Sequence, residues 1–302
     1  MCKNKNKYTI KQFREEYPDD NACLDKIFKL THGDMTECPK CGCTKSFVRV
    51  KTRRCYQCRS CYHQIYPTAS TIFHKTTTPL TYWFFAIFLF TISKNGLSAC
   101  ELQRHLGVTY KTAFRMLRQI RILINNDERI MSGVIELDEA YIGGKNKNRH
   151  KDKKVKNSQG RAYIDKSPVF GILERSEEGT SRVIAYTVPD VKSQTLKPLV
   201  YDKVELGSAI MTDEWNSYTG LNKDYEHGIC FHGKGNYVSG ENNDIYTNGL
   251  ENFWSNVKRG INGSYIHVSR RYLHLYMKEF VFRYNNRDKS EMFNELINCL
   301  AS

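Results

Sequence analysis

Val134-Ile-Glu-Leu-Asp-Glu-Ala-Tyr-Ile-Gly-Gly144, "VIELDEAYIGG", carries the period-two alternation of a β-strand. Ile135 and Leu137 point to one face, and Val134, Glu136 and Asp138 to the other. A strand that only packs has no use for acids on an inner face, so Asp138 is either a strand-end cap or part of a site. The stretches that follow decide between these. "SPVFGILER" (167–175) and "SRVIAYTVPD" (181–190) read as two more strands, the first reached through a long basic loop and the second through a turn at Glu178-Gly179. "SQTLKPLVYDKV" (193–204) reads as a helix, "GSAIMTDEW" (207–215) as a fourth strand ending its apolar run in Asp213, and "YEHGICFH" (225–232) as a fifth.

"TNGLENFWSNVKR" (247–259) then reads as an amphipathic helix. Leu250, Phe253, Trp254 and Val257 form its apolar face. Asn248, Glu251 and Lys258 share the other, Glu251 and Lys258 about 10 Å apart along the axis. Packed across the sheet, this helix would bring Glu251 to neighbouring strand ends bearing Asp138 and Asp213. Three carboxylates suit two Mg²⁺ (or Mn²⁺) ions, hard cations that take oxygen ligands and retain water and phosphate oxygens. Two such ions serve an in-line phosphoryl displacement, with Lys258 placed to hold phosphate beside them. Glu136, Glu139 and Glu214 could replace a member of the set if a strand register slipped by one or two residues. The order strand, strand, strand, helix, strand, with acids on the first and fourth strands and on a later helix, is that of a ribonuclease H-like α/β domain with a mixed sheet.

Composition fits a polyanionic partner. The 302 residues hold 46 Lys+Arg against 32 Asp+Glu, a net charge of +14 that favours nucleic acid over an acidic small molecule. Residues 145–161 add eight Lys/Arg against one Asp, either a solvated loop or a contact to a phosphate backbone. "YWFFAIFLFTI" (82–92) is too short to span a bilayer and reads as a buried helix, begun by Thr78 as cap with Pro79 at its first position and stopped at Asn95-Gly96. The first ten residues have lysines but no apolar core of a secretory signal, so a cytoplasmic protein with no membrane partner is expected.

In that reducing setting eleven cysteines are not a disulfide framework. "CPKC" (Cys38, Cys41) and "CRSC" (Cys58, Cys61) give C-x2-C-x16-C-x2-C, the spacing of a four-thiolate zinc ribbon whose intervening residues form a hairpin with "SFVRVK". Cys55 with Cys58 makes an overlapping pair, so either Cys55 or Cys61 could complete the second knuckle. Lys45, Arg49, Lys51, Arg53, Arg54 and Arg59 surround the module and suit DNA backbone contact. "LSACELQRHLGVTYKTAFRMLRQIR" (97–121) has helix-turn-helix form, which an ordinary helical hairpin shares, and the basic ribbon beside it favours DNA: Ala113, Met116, Leu117 and Ile120 make a buried stripe, and Lys111, Arg115 and Arg118 a basic one for a major groove. The expected architecture is an α+β multidomain chain, with a helical segment over 1–35 and Phe13, Cys23, Leu24, Ile27 and Leu30 in its core. The zinc ribbon follows over 36–74, the helical DNA-binding region over 75–130, and the catalytic domain over 131–302.

These stretches together resemble the DDE transposases of bacterial insertion sequences related to the eukaryotic Merlin elements. The resemblance rests on "EYPDDNACLDKIFKL", "CPKCG", "YQCRSCYHQIYPTASTIF", the helix-turn-helix, "IELDEAYIGG", "MTDEWNSY" and "TNGLENFWSNVKRGINGSY". It implies Asp138, Asp213 and Glu251 as the metal-binding triad, and DNA contacts by Lys111, Arg115, Arg118, Lys258 and Arg259. His232 in "CFHGKGNYV" and Asn248 are implied as site-adjacent. One departure is Ser70 in "TASTIF", where such proteins usually read Gly. The resemblance further implies binding to terminal inverted repeats, cleavage exposing 3′-hydroxyls, and strand transfer into target DNA by a homo-oligomer associated with the bacterial nucleoid. Two other classes compete: a non-enzymatic zinc-ribbon and helix-turn-helix regulator, which would be free to lose the acids, and a nuclease or resolvase on the same fold, which would cut without joining.

Overall fold

The computed structural model describes residues 8–44, 47–125, 129–143, 150–154, 166–176, 180–230 and 246–301. The Glu178-Gly179 turn, His232, Lys45 and most of the basic stretch 145–161 lie outside them. The chain divides into two units, Met1–Ile124 with Lys289–Ser302, and Asn125–Asp288.

In the first unit α1 (Ile10–Glu16) starts from a capping box between Thr9 and Gln12, and α2 (Asp20–His32) from Asp19, whose carboxylate accepts the N–H groups of Asn21 and Ala22. Phe13, Cys23, Leu24 and Ile27 are buried, while Leu30 is only half-buried. Strands β1 (Phe47–Val50), β2 (Cys55–Cys58) and β3 (Gln64–Ile65) pair antiparallel into the small sheet that follows. Two of the arginines expected on DNA are spent on the fold. Arg49 donates to the carbonyls of Val50, Arg53 and Cys55, and Arg54 to Asp20 and to the carbonyls of Thr76 and Thr78. Ser70 holds φ +61°, the left-handed conformation that explains why a glycine is at home there.

Helix α3 (Leu80–Ile92) is apolar all round and correspondingly buried from Leu80 to Phe90 on nearly every side. Its cap position falls at Pro79, one residue later than the sequence suggests, where no side-chain capping bond is made among the described residues. No described helix is long and apolar enough to cross a membrane. α4 (Ala99–Leu106) and α5 (Tyr110–Leu123) follow, capped by the hydroxyls of Ser98 and Thr109 and joined through Gly107.

The second unit is built on one five-stranded sheet. β4 (Val134–Gly143), β5 (Lys166–Glu174) and β6 (Arg182–Thr187) run antiparallel. After α6 (Ser193–Lys203), β7 (Ala209–Asp213) pairs parallel to the far edge of β4, and β8 (Glu226–Cys230) parallel to β7. The resulting order, β6-β5-β4-β7-β8, is the ribonuclease H-like arrangement expected from the strand and helix succession. α7 (Asn248–Gly260) and α8 (Leu273–Asn285) cover one face, burying Leu250, Phe253, Trp254 and Val257 against Ala140, Ile142, Val169 and Leu173. α6 covers the other, against Ile135, Leu137, Phe170 and Ile210.

The last helix, α9 (Met292–Asn298), leaves this unit. The sequence reading places it at the end of the catalytic domain, but Phe293 stacks on Tyr8 at 4.9 Å and meets Phe13, Tyr17 and Phe88 edge-on. Aromatic area buried in the first unit therefore decides its allegiance.

Candidate active site

Register places the acids. Val134 to Glu136 pair with Ala209 to Met211 in parallel, so two residues further on Asp138 comes level with Asp213, the last residue of β7. No strand among the described residues pairs with that edge of β4 beyond this point. Among the described residues, carboxylate oxygens of Asp138, Glu139 and Asp213 lie within 4.8 Å of one another. Glu251, exposed on the first turn of α7, is outside that group yet near enough for its charge to act on Asp138. Burial, then the charges of Glu139 and Asp213, then Glu251, push the Asp138 carboxyl up to about 8, against the opposing N–H of Glu139. An all-oxygen donor set with this much gathered negative charge fits a hard divalent cation.

Close approach of α7 to the sheet brings the charge of Glu251 within reach of Asp138. Gly171 pairs with Asp138 across β4 and β5, and a Cβ on it would stand 2.6 Å from the Trp254 ring and 3.0 Å from Leu250. Only a bare backbone lets the helix lie this low. The helix start is held by Glu136 and Arg175. Glu136, 1% exposed, accepts the Leu250 N–H at 2.9 Å and the Arg175 Nε at 2.8 Å. A negative charge at the first turn suits the helix dipole. Arg175 also donates to the Tyr246 carbonyl and lies over the Tyr246 ring. Gly249 is needed for the same contact, since a Cβ would meet both Glu136 oxygens at 2.9 Å.

Asn248 and Lys258 are exposed on α7, and Arg259 donates to Asn256 on the same surface. Asp213 accepts the Trp215 N–H at 3.1 Å, which turns the chain sharply into the short helical turn Asn216–Tyr218. Glu214 is exposed and does not join the group.

A carboxyl whose folded-state value lies above its unfolded one binds extra protons in the folded state between the two. Its contribution to stability is whole below about pH 4 and is lost as pH rises through about 8. The zinc-loaded, magnesium-free protein should therefore lose thermal stability over that range. Asp138→Asn should flatten the slope and stabilise the protein at pH 8 by on the order of a few kcal/mol. Thermal melts of both proteins across the range check this.

In the ribbon the thiols of Cys38, Cys41, Cys58 and Cys61 lie within 4.8 Å of one another, with Sγ to Sγ distances of 3.6 Å (Cys38 to Cys61) and 3.8 Å (Cys41 to Cys58). Tetrahedral zinc with Zn–S bonds of about 2.3 Å needs sulfurs about 3.8 Å apart, so the four fit the ion. Cys55 is buried in β2 opposite Val50 and lies outside the group, which selects Cys61 for the second knuckle. The N–H groups of Cys61 and Ser60 lower the Cys58 thiol. On α5, Ala113, Met116, Leu117 and Ile120 are buried, and Lys111, Arg115 and Arg118 are exposed along one stripe.

Sheet order and acid placement together define a protein of the ribonuclease H-like class. The chain belongs to the ISXO2-like transposase family: that domain matches residues 130–285, and a transposase zinc-ribbon domain matches residues 18–64. A protein of Halobacterium salinarum, described as an uncharacterized protein in transposable element ISH50, is 25% identical over 257 residues, covering 82% of this chain and 84% of that protein. An uncharacterized transposase-like protein of Haemophilus influenzae is 32% identical over 108 residues, covering 35% of this chain and 84% of its own length.

Proposed function

We propose that this transposase-family protein binds the terminal inverted repeats of an insertion sequence and catalyses cleavage and strand transfer at Asp138, Asp213 and Glu251. The observation that carries the reading is the parallel register that sets Asp138 level with Asp213 where β7 ends, with Glu251 on the first turn of α7 near enough for its charge to act on Asp138. Two Mg²⁺ or Mn²⁺ ions, when bound, would activate the attacking oxygen and stabilise the leaving one. The chain's own part is to gather the anionic ligands, fix α7 through Glu136 and Arg175, and hold the DNA.

In the first step water attacks the scissile phosphorus and the bond to the 3′-oxygen breaks, leaving a 3′-hydroxyl. In the second that hydroxyl attacks a target phosphate, and one phosphodiester forms as another breaks. The bond count is conserved, so no external energy source is required and one site serves both steps. Lys258 and Arg259 hold backbone phosphate, the α5 stripe of Lys111, Arg115 and Arg118 enters a major groove, and the zinc ribbon adds backbone contact. Two element ends call for at least two copies, so the working form is a homo-oligomer on double-stranded DNA. Asn248, at the start of α7, and His232 are site-adjacent in this reading. The segment after Asp288 serves the N-terminal, DNA-binding part of the chain.

The test is a strand-transfer assay on a labelled element end with Mg²⁺ or Mn²⁺. Asp138→Asn should keep DNA binding and lose joining by a factor of about 10³ or more. A mutant that joins ends at the wild-type rate would refute the assignment. Cleavage without joining by the wild type would instead indicate a nuclease.

A further inference from the structure

The acid beside Asp138 ought to be elsewhere. In β4, alternation puts residue 139 on the α6 face, with Ile135 and Leu137, while Asp138 faces α7. Yet an oxygen of Glu139 lies within 4.8 Å of oxygens of both Asp138 and Asp213. The end of β7 allows this. Pairing of the two strands stops at Glu136 with Met211, and among the described residues no strand covers the rim of β4 past Asp213, so side chains from both faces can turn to the same edge.

Glu139 is also held in place. The Tyr218 hydroxyl donates to Glu139 Oε1, and the Tyr218 ring is 1% exposed, packed in the core beneath the sheet with Leu221 and Val191. The backbone that carries Tyr218 is anchored at the site itself, through the Trp215 N–H on Asp213. A rigid buried phenol bonded to one carboxylate oxygen is the kind of outer partner that fixes a metal ligand's direction.

We infer that Glu139 is a fourth carboxylate ligand of the divalent-cation site and that Tyr218 is its positioning residue. This rests on the proposed site at Asp138 and Asp213 and extends its donor set across the sheet. Glu139 would supply an oxygen from the α6 side, where Glu251 supplies one from the α7 side.

The experiment measures Mn²⁺ binding to the zinc-loaded full chain by titration calorimetry, with Mn²⁺ electron paramagnetic resonance as a second readout, and needs no DNA. Glu139→Gln keeps an acceptor for the Tyr218 hydroxyl, and Tyr218→Phe keeps the ring, so both should fold; circular dichroism checks that. Each is expected to weaken Mn²⁺ binding about tenfold or more. The double variant should be no weaker than Glu139→Gln alone, because Tyr218 acts only through Glu139. Wild-type affinity in Glu139→Gln, with binding lost in Asp138→Asn, would overturn the inference and leave the underlying site standing. Wild-type affinity in Asp138→Asn as well would overturn both. Additive losses in the double variant would overturn the role of Tyr218.

Discussion

Stripping zinc with a strong chelator, or replacing Cys58 with Ser, is expected to melt the ribbon while the unit Asn125–Asp288 stays folded. β1 and β2 have four residues each and β3 two, and their buried side chains are Cys55, Tyr56, Cys58 and Ile65. That is too little apolar area to offset the entropy of ordering the hairpin. The ion therefore supplies the folding free energy, on the order of 10 kcal/mol for a structural zinc site. Hydrogen exchange should show full loss of protection over residues 38–65 and none over β4 to β8. Cys55→Ser should keep zinc, since its buried thiol is outside the ligand group, and should lose only packing. Retained ribbon protection after zinc removal would show that the helices around it, not the ion, hold it.

Arg175→Ala is expected to destabilise the second unit by about 3–5 kcal/mol, because it leaves Glu136 charged and almost fully buried without its cation. Glu136→Gln should cost less, about 1–2 kcal/mol, since its amide oxygen still accepts the Leu250 N–H. Both changes loosen the first turn of α7, so strand transfer should fall further than the loss of folded protein explains. Urea melts give the stability difference, and transfer rates at saturating Mg²⁺ give the rest. An Arg175→Ala protein as stable as the wild type would mean that water reaches Glu136 and the pair does not hold the helix.

Much of this architecture can be read from one chain because it is written in periods. The alternation from Val134 to Ile142 and the stripe Leu250, Phe253, Trp254 and Val257 each describe a face that has to be covered, and the sheet and α7 cover one another. Four cysteines at ribbon spacing likewise leave few geometries open. What resists reading is contact between elements. No period shows that Phe293 prefers the aromatic cluster of Tyr8, Phe13 and Tyr17 to the sheet it follows. Arg49 and Arg54 look like free surface charge until backbone carbonyls and Asp20 are found around them. Glu136 carries the same signal as Asp138, an acid on an inner face, and only the Leu250 N–H and Arg175 separate a helix anchor from a rim ligand. Glu139 is the reverse case, assigned by alternation to the far face and brought to the rim because β7 is short. The glycines at 171 and 249 would have been a usable signal, since each sits where a helix and a sheet have to touch.

In the proposed mechanism, acids from two strands and one helix share a pair of cations. Crystals of the full chain soaked in Mn²⁺ and measured at the manganese absorption edge test it most directly. Two anomalous peaks about 4 Å apart are expected, both against Asp138, one also against Asp213 and the other against Glu251. Manganese bound away from Asp138, or a site that leaves Glu251 without an ion, would contradict the account.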